Sequence, residues 1–246
     1  MSSRVVILAG GKGTRLRPFT ATFPKPLVPL GNMPILEVLI RQLRAQGFRH
    51  VTLTLGHLST LIRAFLVQHK QLNEGIQIDF VDEEVPTGTS GSLASVAGLT
   101  DAFLVMNGDV LTDLSFRELM NDHKRSGAAL TIATHRKEVK IDLGVIQANE
   151  YARVIQYLEK PSYEFEVSMG VYVYEPRIVA LIKPGQYLDL PNLVQMLLER
   201  GEHVHLHRNE AFWLDIGRPE DYASAQDLFE KEPSRFLPTE AQVVDA

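Results

Sequence analysis

Glycines and cations crowd together directly after the first strand-like segment of the chain. The apolar run at residues 5–9 passes into Gly10, Gly11, Lys12, Gly13, Thr14 and Arg15. Glycine lets a backbone approach a ligand with bare N–H groups, and neighbouring cations suit a polyphosphate. The spacing therefore predicts a loop that holds a nucleotide at the end of the first strand of an α/β sheet.

Two common phosphate-binding loops do not fit this stretch. A Walker loop needs the order G-x-x-x-x-G-K-[ST], whereas Lys12 precedes Gly13. A dinucleotide fingerprint needs a third glycine where Leu16 stands, and an acid after the second strand to hold the ribose. The second strand candidate, residues 51–55, is followed by Gly-His-Leu without an acid. The loop therefore belongs to neither class. The alternative to a nucleotide-binding loop is an ordinary strand-to-helix turn.

A single lysine, Lys25, stands between Pro24 and Pro26. Proline on both sides fixes the backbone around the lysine and disfavours a helix there. A rigidly mounted ammonium group is suited to placing positive charge beside a phosphate. The alternative is a proline-rich loop with a solvated lysine.

Two aspartates follow strand candidates. Asp109 comes shortly after the strand predicted at residues 102–106, and Asp215 follows the strand predicted at 212–214. Ligands of open α/β sheets lie at the carboxyl ends of the strands. Because Mg²⁺ prefers oxygen ligands and substrate phosphates, we predict that both carboxylates bind Mg²⁺. The alternative for Asp109 is a turn aspartate bonded to local backbone.

A further charged pair, Glu159 and Lys160, leaves the strand predicted at residues 154–158 and runs into a proline. The carboxylate could accept sugar hydroxyls, and the ammonium group could hold a second phosphate. The alternative is a surface ion pair in a loop.

Three histidines, His203, His205 and His207, alternate along one strand candidate. Residues on the same face of a strand are about 7 Å apart, so the outer two are about 13 Å apart. That distance is too long for both to bind one metal ion. We therefore predict a solvated or core strand here.

The composition is that of an ordinary globular protein, with 45% hydrophobic and 22% charged residues among 246. The absence of cysteine excludes disulfides, thiolate metal sites and thiol nucleophiles. A net charge of −5 gives no indication of a nucleic-acid surface. Because no apolar run reaches transmembrane length, we expect a cytoplasmic protein that contacts no membrane. The oligomeric state stays open, a homo-oligomer included.

Strand-like and helix-like segments alternate through the first half, as in a parallel sheet with crossover helices. Predicted strands are 5–9, 51–55, 76–81, 102–106, 128–134, 144–147, 154–158, 167–174, 204–206 and 212–214. Predicted helices open at Pro34, at 58 and at 90, after the cap Ser115 with Glu118, and at 190 and 219. We expect one domain over 1–246. About 1–110 would bind the nucleotide, about 111–230 the second substrate, and 231–246 would form a tail.

Taken together, the motifs resemble the signature of the sugar-1-phosphate nucleotidylyltransferases. The resemblance covers roughly residues 4–230 and is carried, in order, by 8–16, 23–26, 86–91, 107–109, 159–161, 168–172 and 213–217. It implies a Rossmann-like three-layer α/β sandwich with a mixed, mostly parallel central sheet. It also implies transfer of a nucleotidyl group from a nucleoside triphosphate to a sugar 1-phosphate, with release of pyrophosphate.

The resemblance assigns roles by position. Arg15 would grip the triphosphate and the leaving pyrophosphate, and Lys25 would neutralise charge at the α-phosphate, which makes these two the catalytic residues. Asp109 and Asp215 would bind Mg²⁺. The nucleotide would be held by Leu8, Ala9, Gly10, Gly11, Lys12, Gly13, Thr14, Gly88 and Thr89. The sugar phosphate would be held by Gly144, Glu159, Lys160 and Ser168.

The choice of base and sugar is indicated by a few positions outside the glycine loop. The acidic, G-T-containing segment 82–89 is similar to that of mannose-type guanylyltransferases and lacks the glutamine of many thymidylyl- and uridylyltransferases. We therefore expect GTP, with mannose or manno-heptose 1-phosphate as acceptor. Ser168 replaces a frequent asparagine and Leu143 a frequent aromatic residue, which leaves the sugar open.

Two alternative functions stay open at this point. One is a uridylyl- or thymidylyltransferase acting on glucose 1-phosphate. The other, of a different class, is a non-catalytic subunit that senses sugar nucleotides. We also expect no C-terminal hexapeptide-repeat β-helix domain of the kind that many relatives carry.

Overall fold

A computed structural model of the protein describes residues 4–237. Its strands are β1 (Arg4–Ala9), β2 (Pro29–Leu30), β3 (Met33–Pro34), β4 (His50–Leu55), β5 (Gln77–Asp82), β6 (Phe103–Asn107), β7 (Val110–Thr112), β8 (Leu130–Lys140), β9 (Val145–Ala148), β10 (Val154–Leu158), β11 (Ser162–Tyr174), β12 (Val204–Arg208) and β13 (Trp213–Asp215). Its α-helices are α1 (Ile35–Ala45), α2 (Ser59–Gln68), α3 (Gly88–Gly91), α4 (Phe116–Ser126), α5 (Pro176–Val179), α6 (Leu190–Glu199), α7 (Pro219–Lys231) and α8 (Pro233–Phe236).

A seven-stranded sheet in the order β12-β8-β11-β6-β1-β4-β5 forms the centre of the molecule. β1 runs parallel to β4 and β6, β4 to β5, and β8 to β12. Only β11 runs antiparallel to its neighbours in this sheet. The mixed, mostly parallel sheet is therefore confirmed. Because β1 and β6 are parallel neighbours, their carboxyl ends meet at one edge.

Helices cover both faces of this sheet. Successive residues of a strand point to opposite faces, so Val5 and Ile7 pack with α1, α2, α4 and α7, while Val6 packs with α5 and α6. A strand buried on both faces is expected to be apolar throughout, as the predicted strand at 5–9 is. The result is the three-layer sandwich that the motifs implied.

Residue types near the helix ends predicted most of the helix boundaries. Pro34 precedes the first residue of α1, and the Ser115 hydroxyl accepts a hydrogen bond from the Glu118 backbone N–H at 3.2 Å, as a helix cap does. Gly127 ends α4 in a left-handed conformation with φ of 62°, which glycine adopts at low cost. The predicted helices agree with the observed ones to within about two residues, apart from the region after residue 88, where α3 and one further short helical turn replace one helix. The short helices α5 and α8 were not predicted.

Two strands extend well beyond their predicted ranges. Within the part of the chain that is described, β8 pairs with β12 only as far as Thr134, and β11 pairs with β6 only from Val171 onward. The outer halves of β8 and β11 pair with each other alone and carry the hairpin β9–β10. We call residues 136–167 the arm. The charged sequence of 136–140 gave no apolar periodicity, so the prediction ended at 134.

The segment predicted as a tail, 231–246, starts with ordered structure. α7 continues to Lys231, and α8 buries Phe236 against Phe229, with 6.1 Å between ring centroids. The later part, 238–246, lies outside the described residues. Within residues 4–237, none of the helices is long and apolar enough to cross a membrane.

Two of the three alternating histidines contact one carboxylate. His205 Nε2 and His207 Nδ1 lie 3.1 and 2.8 Å from Asp122 Oδ2, which joins β12 to α4. No group of three or more metal-ligating side chains suitable for an ion occurs between residues 4 and 237. The segment forms the edge strand β12 of the central sheet, and its histidines tie that strand to α4. The hydrogen bonds, that from His207 first, lower the pKa of Asp122 to about 2.

Replacing this carboxylate should destabilise the fold in a pH-dependent way. The pKa of an unfolded aspartate is about 3.9, so the ionised Asp122 stabilises the fold above about pH 4, and this contribution is lost as pH falls toward 2. We expect Asp122→Asn to lower the free energy of unfolding by about 1 kcal/mol at pH 7. Urea unfolding at pH 7 and at acid pH measures both effects.

The control is Asp227→Asn, an exposed aspartate of α7 without an ion pair among the described residues. It should leave stability unchanged at every pH. An Asp122→Asn deficit that stays constant from pH 7 to the acid limit would contradict the assignment.

Candidate active site

The glycine loop and the turn that carries Asp109 lie side by side at the carboxyl edge of the sheet. The loop leaves β1 and the turn leaves β6, two neighbouring parallel strands. The Gly108 N–H donates to the Leu8 carbonyl at 3.0 Å, which holds the two segments together. The loop is fixed in addition by the Thr20 hydroxyl, which donates to the Gly13 carbonyl at 2.6 Å.

Two adjoining cavities open at this edge. The first has a volume of about 290 Å³, and the predicted residues that line it are Leu8, Ala9, Gly11, Gly13, Thr14, Arg15, Lys25 and Asp109. The second has a volume of about 330 Å³ and shares Leu8, Gly11, Arg15 and Asp109 with the first. It adds the predicted residues Gly10, Gly88 and Thr89. The structure thus brings most of the predicted nucleotide and catalytic residues into one cleft.

An ion pair between Lys25 and Asp109 stands at the boundary of the two cavities. Lys25 is only 9% exposed, and a buried ammonium group is tolerated when a carboxylate pairs with it. Both alternative interpretations are therefore wrong: the lysine is not solvated, and the Asp109 side chain bonds to Lys25 instead of local backbone.

Asp215 is held close to Asp109 by a second strand pair. β13 runs antiparallel to β7 and sets Asp215 opposite Val110, while the Ile216 N–H donates to the Asp109 carbonyl at 3.1 Å. Burial raises the pKa of Asp215, and the Asp109 carboxylate raises it further, with partial compensation from Lys25 and Arg15. The two carboxylates are thus kept near each other despite their mutual repulsion.

The donor set at these two aspartates fits a hard divalent cation. Asp109 Oδ1 is buried and has no hydrogen-bond partner within residues 4–237, although buried carboxylate oxygens are normally satisfied. A cation would satisfy this oxygen and remove the repulsion that raises the pKa of Asp215. Two protein carboxylates suffice for Mg²⁺, which usually completes its shell with water and substrate phosphates.

In the described chain, none of the four predicted sugar-phosphate residues lines either cavity. Among the described residues, Gly144, Glu159 and Lys160 are exposed on the arm and line neither cavity. The Tyr157 hydroxyl donates to Glu159 at 3.2 Å. Ser168 lies at the base of the arm, where its hydroxyl donates to the Tyr172 hydroxyl at 3.0 Å.

Lys12 and Asp215 are the other predicted residues that line neither cavity in the described chain. Asp215 sits directly behind Gly217, which does line the first cavity: a Cβ on that glycine would lie 3.0 Å from Asp215 Oδ2. Asp215 is therefore at the wall of the cleft, whereas Lys12 is outside it.

Two carboxylates in the second cavity were missed as site residues. Glu83 accepts a hydrogen bond from the Thr87 hydroxyl on Oε1, and its Oε2 lies over Gly10. Asp189 accepts from the Thr89 backbone N–H at 3.1 Å. The acidic segment 82–89 signalled Glu83, whereas Asp189, a hundred residues after Thr89, had no local signal.

A family model described as nucleotidyl transferase matches residues 4–232. Mannose-1-phosphate guanylyltransferase of Mycobacterium tuberculosis is 34% identical over 224 residues, which cover 88% of this chain and 62% of the relative. UTP–glucose-1-phosphate uridylyltransferase of Synechocystis sp. is 31% identical, covering 90% and 62%. The chain thus spans less than two thirds of the length of these curated relatives.

Solved structures share the fold over almost the whole chain. HddC from Yersinia pseudotuberculosis superposes with a TM-score of 0.71 at 26% identity, covering 92% of this chain and 99% of that protein. Its complex with GMP-PN superposes with a TM-score of 0.70 at 25% identity over the same shares.

The backbone at Gly56 lies close to the backbone at Gly10, so a side chain at Gly56 should lower the stability of the fold. A Cβ on Gly56 would lie 2.7 Å from the Gly10 carbonyl oxygen, whereas a Cβ on Gly11 would meet nothing within 4 Å. Because backbone cannot move aside as a flexible side chain does, Gly56→Ala should lower the free energy of unfolding by about 1–3 kcal/mol. Gly11→Ala is the matched control and should change it by less than about 0.5 kcal/mol.

Urea unfolding of the two variants and the unchanged protein measures the difference. Equal stability of Gly56→Ala and Gly11→Ala would show that the two backbones are not in contact.

Proposed function

The chain belongs to the nucleotidyl transferase family, as its motifs predicted, and from that premise we propose that it makes nucleoside diphosphate sugars. The reaction transfers a nucleoside monophosphate from a nucleoside triphosphate to a sugar 1-phosphate and releases pyrophosphate. The observation that carries this proposal is the buried Lys25–Asp109 pair, set beside Arg15 and the glycine loop in one cleft.

The chemistry needs positioning and charge neutralisation from these residues. A phosphate oxygen of the sugar 1-phosphate is already ionised, so no general base is required. It forms a bond to the α-phosphorus while the bond to the bridging oxygen breaks, and the electron pair leaves on pyrophosphate. Lys25 neutralises charge at the α-phosphate, and Arg15 holds the pyrophosphate as its charge develops. The glycine N–H groups orient the triphosphate for in-line attack.

We assign Mg²⁺ to Asp109 and Asp215. The support is the unpartnered buried oxygen of Asp109 and the raised pKa of Asp215, each of which a cation would relieve. When bound, Mg²⁺ supplies electrostatic stabilisation to the phosphates.

Glu83 supports GTP as the donor. Guanine presents adjacent N1–H and N2–H donors, which a carboxylate accepts, whereas uracil and thymine flank their single N–H with two carbonyl oxygens. Glu83 lines the second cavity, and its Oε2 lies over Gly10 of the loop. Charge-assisted bonds of this kind are about twice as strong as neutral ones. The relative from M. tuberculosis uses a guanylyl donor by its name, and HddC was solved with GMP-PN.

The acceptor is proposed to be mannose or manno-heptose 1-phosphate, held by Gly144, Glu159, Lys160 and Ser168. In this proposal about 1–110 serve the nucleotide, joined there by Asp189, and about 111–230 otherwise serve the sugar phosphate. The name of the M. tuberculosis relative supports mannose, while that of the Synechocystis relative keeps glucose 1-phosphate with UTP as the competing pair. The nucleoside triphosphate donor fits a cytoplasmic location.

Replacing Asp109, which lines both cavities, tests the proposed reaction. Asp109→Asn should lower the rate of pyrophosphate release at least about a hundredfold, because it removes the carboxylate that positions Lys25 and would hold Mg²⁺, the two cations proposed to act on the developing phosphate charge. The assay uses GTP, ATP, UTP, CTP and dTTP, each with mannose, manno-heptose and glucose 1-phosphates and Mg²⁺. Asp101→Asn, which changes an exposed aspartate outside the cleft, is the control and should keep the full rate. A rate near the original in Asp109→Asn would remove Asp109 from the site, and no turnover with any pair would overturn the function.

The choice of base is tested separately at Glu83. Glu83→Gln should reduce the preference for GTP over UTP, measured as the ratio of kcat/KM values, by roughly 10- to 100-fold. Glu84→Gln changes the exposed neighbour and should leave the ratio unchanged. Turnover by the original protein with UTP or dTTP but not with GTP would rule out the base assignment while leaving the reaction class in place.

A further inference from the structure

The stretch of chain that separates the two cations of the cleft is mostly exposed. We call residues 17–23, which lie between Arg15 and Lys25, the connector. Six of its seven residues are exposed, and Thr20 alone is buried, with 2% of its surface exposed. Because surface connections are more mobile than the elements that they join, the one buried side chain is the natural anchor of this segment.

The residue types in the connector invert the usual order of burial. Phe19 and Phe23 are 48% and 42% exposed, while the threonine between them is buried. Large apolar side chains are normally buried in preference to a hydroxyl group. Burying a hydroxyl costs free energy unless it is hydrogen-bonded. The position of Thr20 therefore requires a specific hydrogen-bond partner.

That partner is the carbonyl group that closes the turn under Arg15. The Thr20 hydroxyl donates to the Gly13 carbonyl at 2.6 Å. The same carbonyl accepts from the Leu16 N–H at 3.0 Å, which closes the short helical turn at Thr14–Leu16. Gly13 itself is left-handed, with φ of 58°. Thr20 thus bonds to the one peptide group on which the conformation of this turn depends.

The Thr20 side chain also packs against Gly13 beside Lys25. A Cβ on Gly13 would lie 3.0 Å from the Thr20 methyl carbon and 3.2 Å from the Lys25 Cβ. Both side chains therefore contact the same glycine, and they leave no room for a side chain there. The turn that carries Arg15 and the backbone that carries Lys25 meet at this contact.

We propose that Thr20 is a positioning residue, whose hydroxyl holds the Arg15 turn in place beside Lys25. The inference rests on the proposed function, in which Lys25 acts at the α-phosphate and Arg15 on the leaving pyrophosphate. Arg15 is exposed, so the turn beneath it sets where its guanidinium group can reach. Lys25 is held separately, by its ion pair with Asp109. Loss of the Thr20 hydroxyl should therefore displace Arg15 and leave Lys25 in place.

Thr20→Val removes the hydroxyl and keeps the size and branching of the side chain. The kcat for pyrophosphate release should fall about 10- to 100-fold, because a displacement of about 1 Å can cost that much. In the reverse direction, from nucleoside diphosphate sugar and pyrophosphate, KM for pyrophosphate should rise about tenfold, as expected when a charge-assisted contact weakens. KM for the sugar 1-phosphate should stay unchanged, because the residues proposed to hold it lie on other elements.

Two matched variants separate the hydroxyl from its surroundings. Thr20→Ser keeps the hydroxyl and should recover most of the lost rate. Thr22→Val makes the same change at an exposed threonine of the connector and should keep the full rate. Thr20→Ala, which also lacks the hydroxyl, takes the place of Thr20→Val if that variant does not fold, as judged by circular dichroism.

Amide hydrogen exchange, followed by mass spectrometry, tests the positioning without any turnover. In Thr20→Val the peptide that covers residues 10–17 should exchange about 5- to 10-fold faster, the change that loss of one hydrogen bond makes to a local opening equilibrium. Thr20→Ser and Thr22→Val should exchange like the unchanged protein.

A slow Thr20→Val that exchanges faster in this peptide and is rescued by Thr20→Ser supports the proposal. A purely structural role would lower stability in urea and leave the kcat of the folded protein and KM for pyrophosphate unchanged, and that result overturns it. An equal loss of rate in Thr22→Val, or unchanged exchange in Thr20→Val, overturns it as well. If the unchanged protein turns over no substrate pair, the proposed function fails, and the exchange rates alone decide whether Thr20 holds the loop.

Discussion

The buried ion pair between Lys25 and Asp109 is the constraint on which the rest of the site depends. The lysine is 84 residues before its partner, and an ammonium group this buried requires a carboxylate in contact. The pair therefore joins the chain after the glycine loop to the end of β6. Pro24 and Pro26 stiffen the approach of the lysine. With the two segments joined, Arg15, Gly11 and Gly13 line the same cleft as the pair.

Charge balance in this cleft explains why metal and nucleotide binding should depend on each other. Lys25 and Arg15 stand against Asp109 and Asp215, and Glu83 and Asp189 add two carboxylates in the second cavity. The triphosphate of the proposed donor would bring more negative charge than Lys25 and Arg15 can neutralise. A divalent ion, if held by Asp109 and Asp215 as we propose, would supply positive charge for the phosphates and relieve the repulsion between the two carboxylates.

The sequence allowed prediction of the elements whose signal is local. The apolar run of β1, the serine cap of α4 and the glycine loop could be predicted because the interactions that determine them lie within a few residues of sequence. Predictions failed where pairing over long distances decides the structure. β7 is a three-residue strand that exists because β13 pairs with it, about a hundred residues later. The outer half of β8 is charged and becomes a strand only through β11. Asp189 reaches the second cavity for the same kind of reason.

The two proposed substrates meet very different parts of this fold. The donor site is built on β1 and β6, which are buried on both faces and held in register by parallel neighbours. Gly144, Glu159 and Lys160, which we propose for the acceptor, are exposed on the arm, whose strands within residues 4–237 are held by pairing with one another. A site holds its geometry only as well as the elements beneath it are held. It follows that the proposed donor site is held by strands of the central sheet, whereas the geometry of the proposed acceptor residues depends on the pairing of the arm strands. The choice of acceptor should then be sensitive to substitutions in the arm strands as well as at Gly144, Glu159 and Lys160.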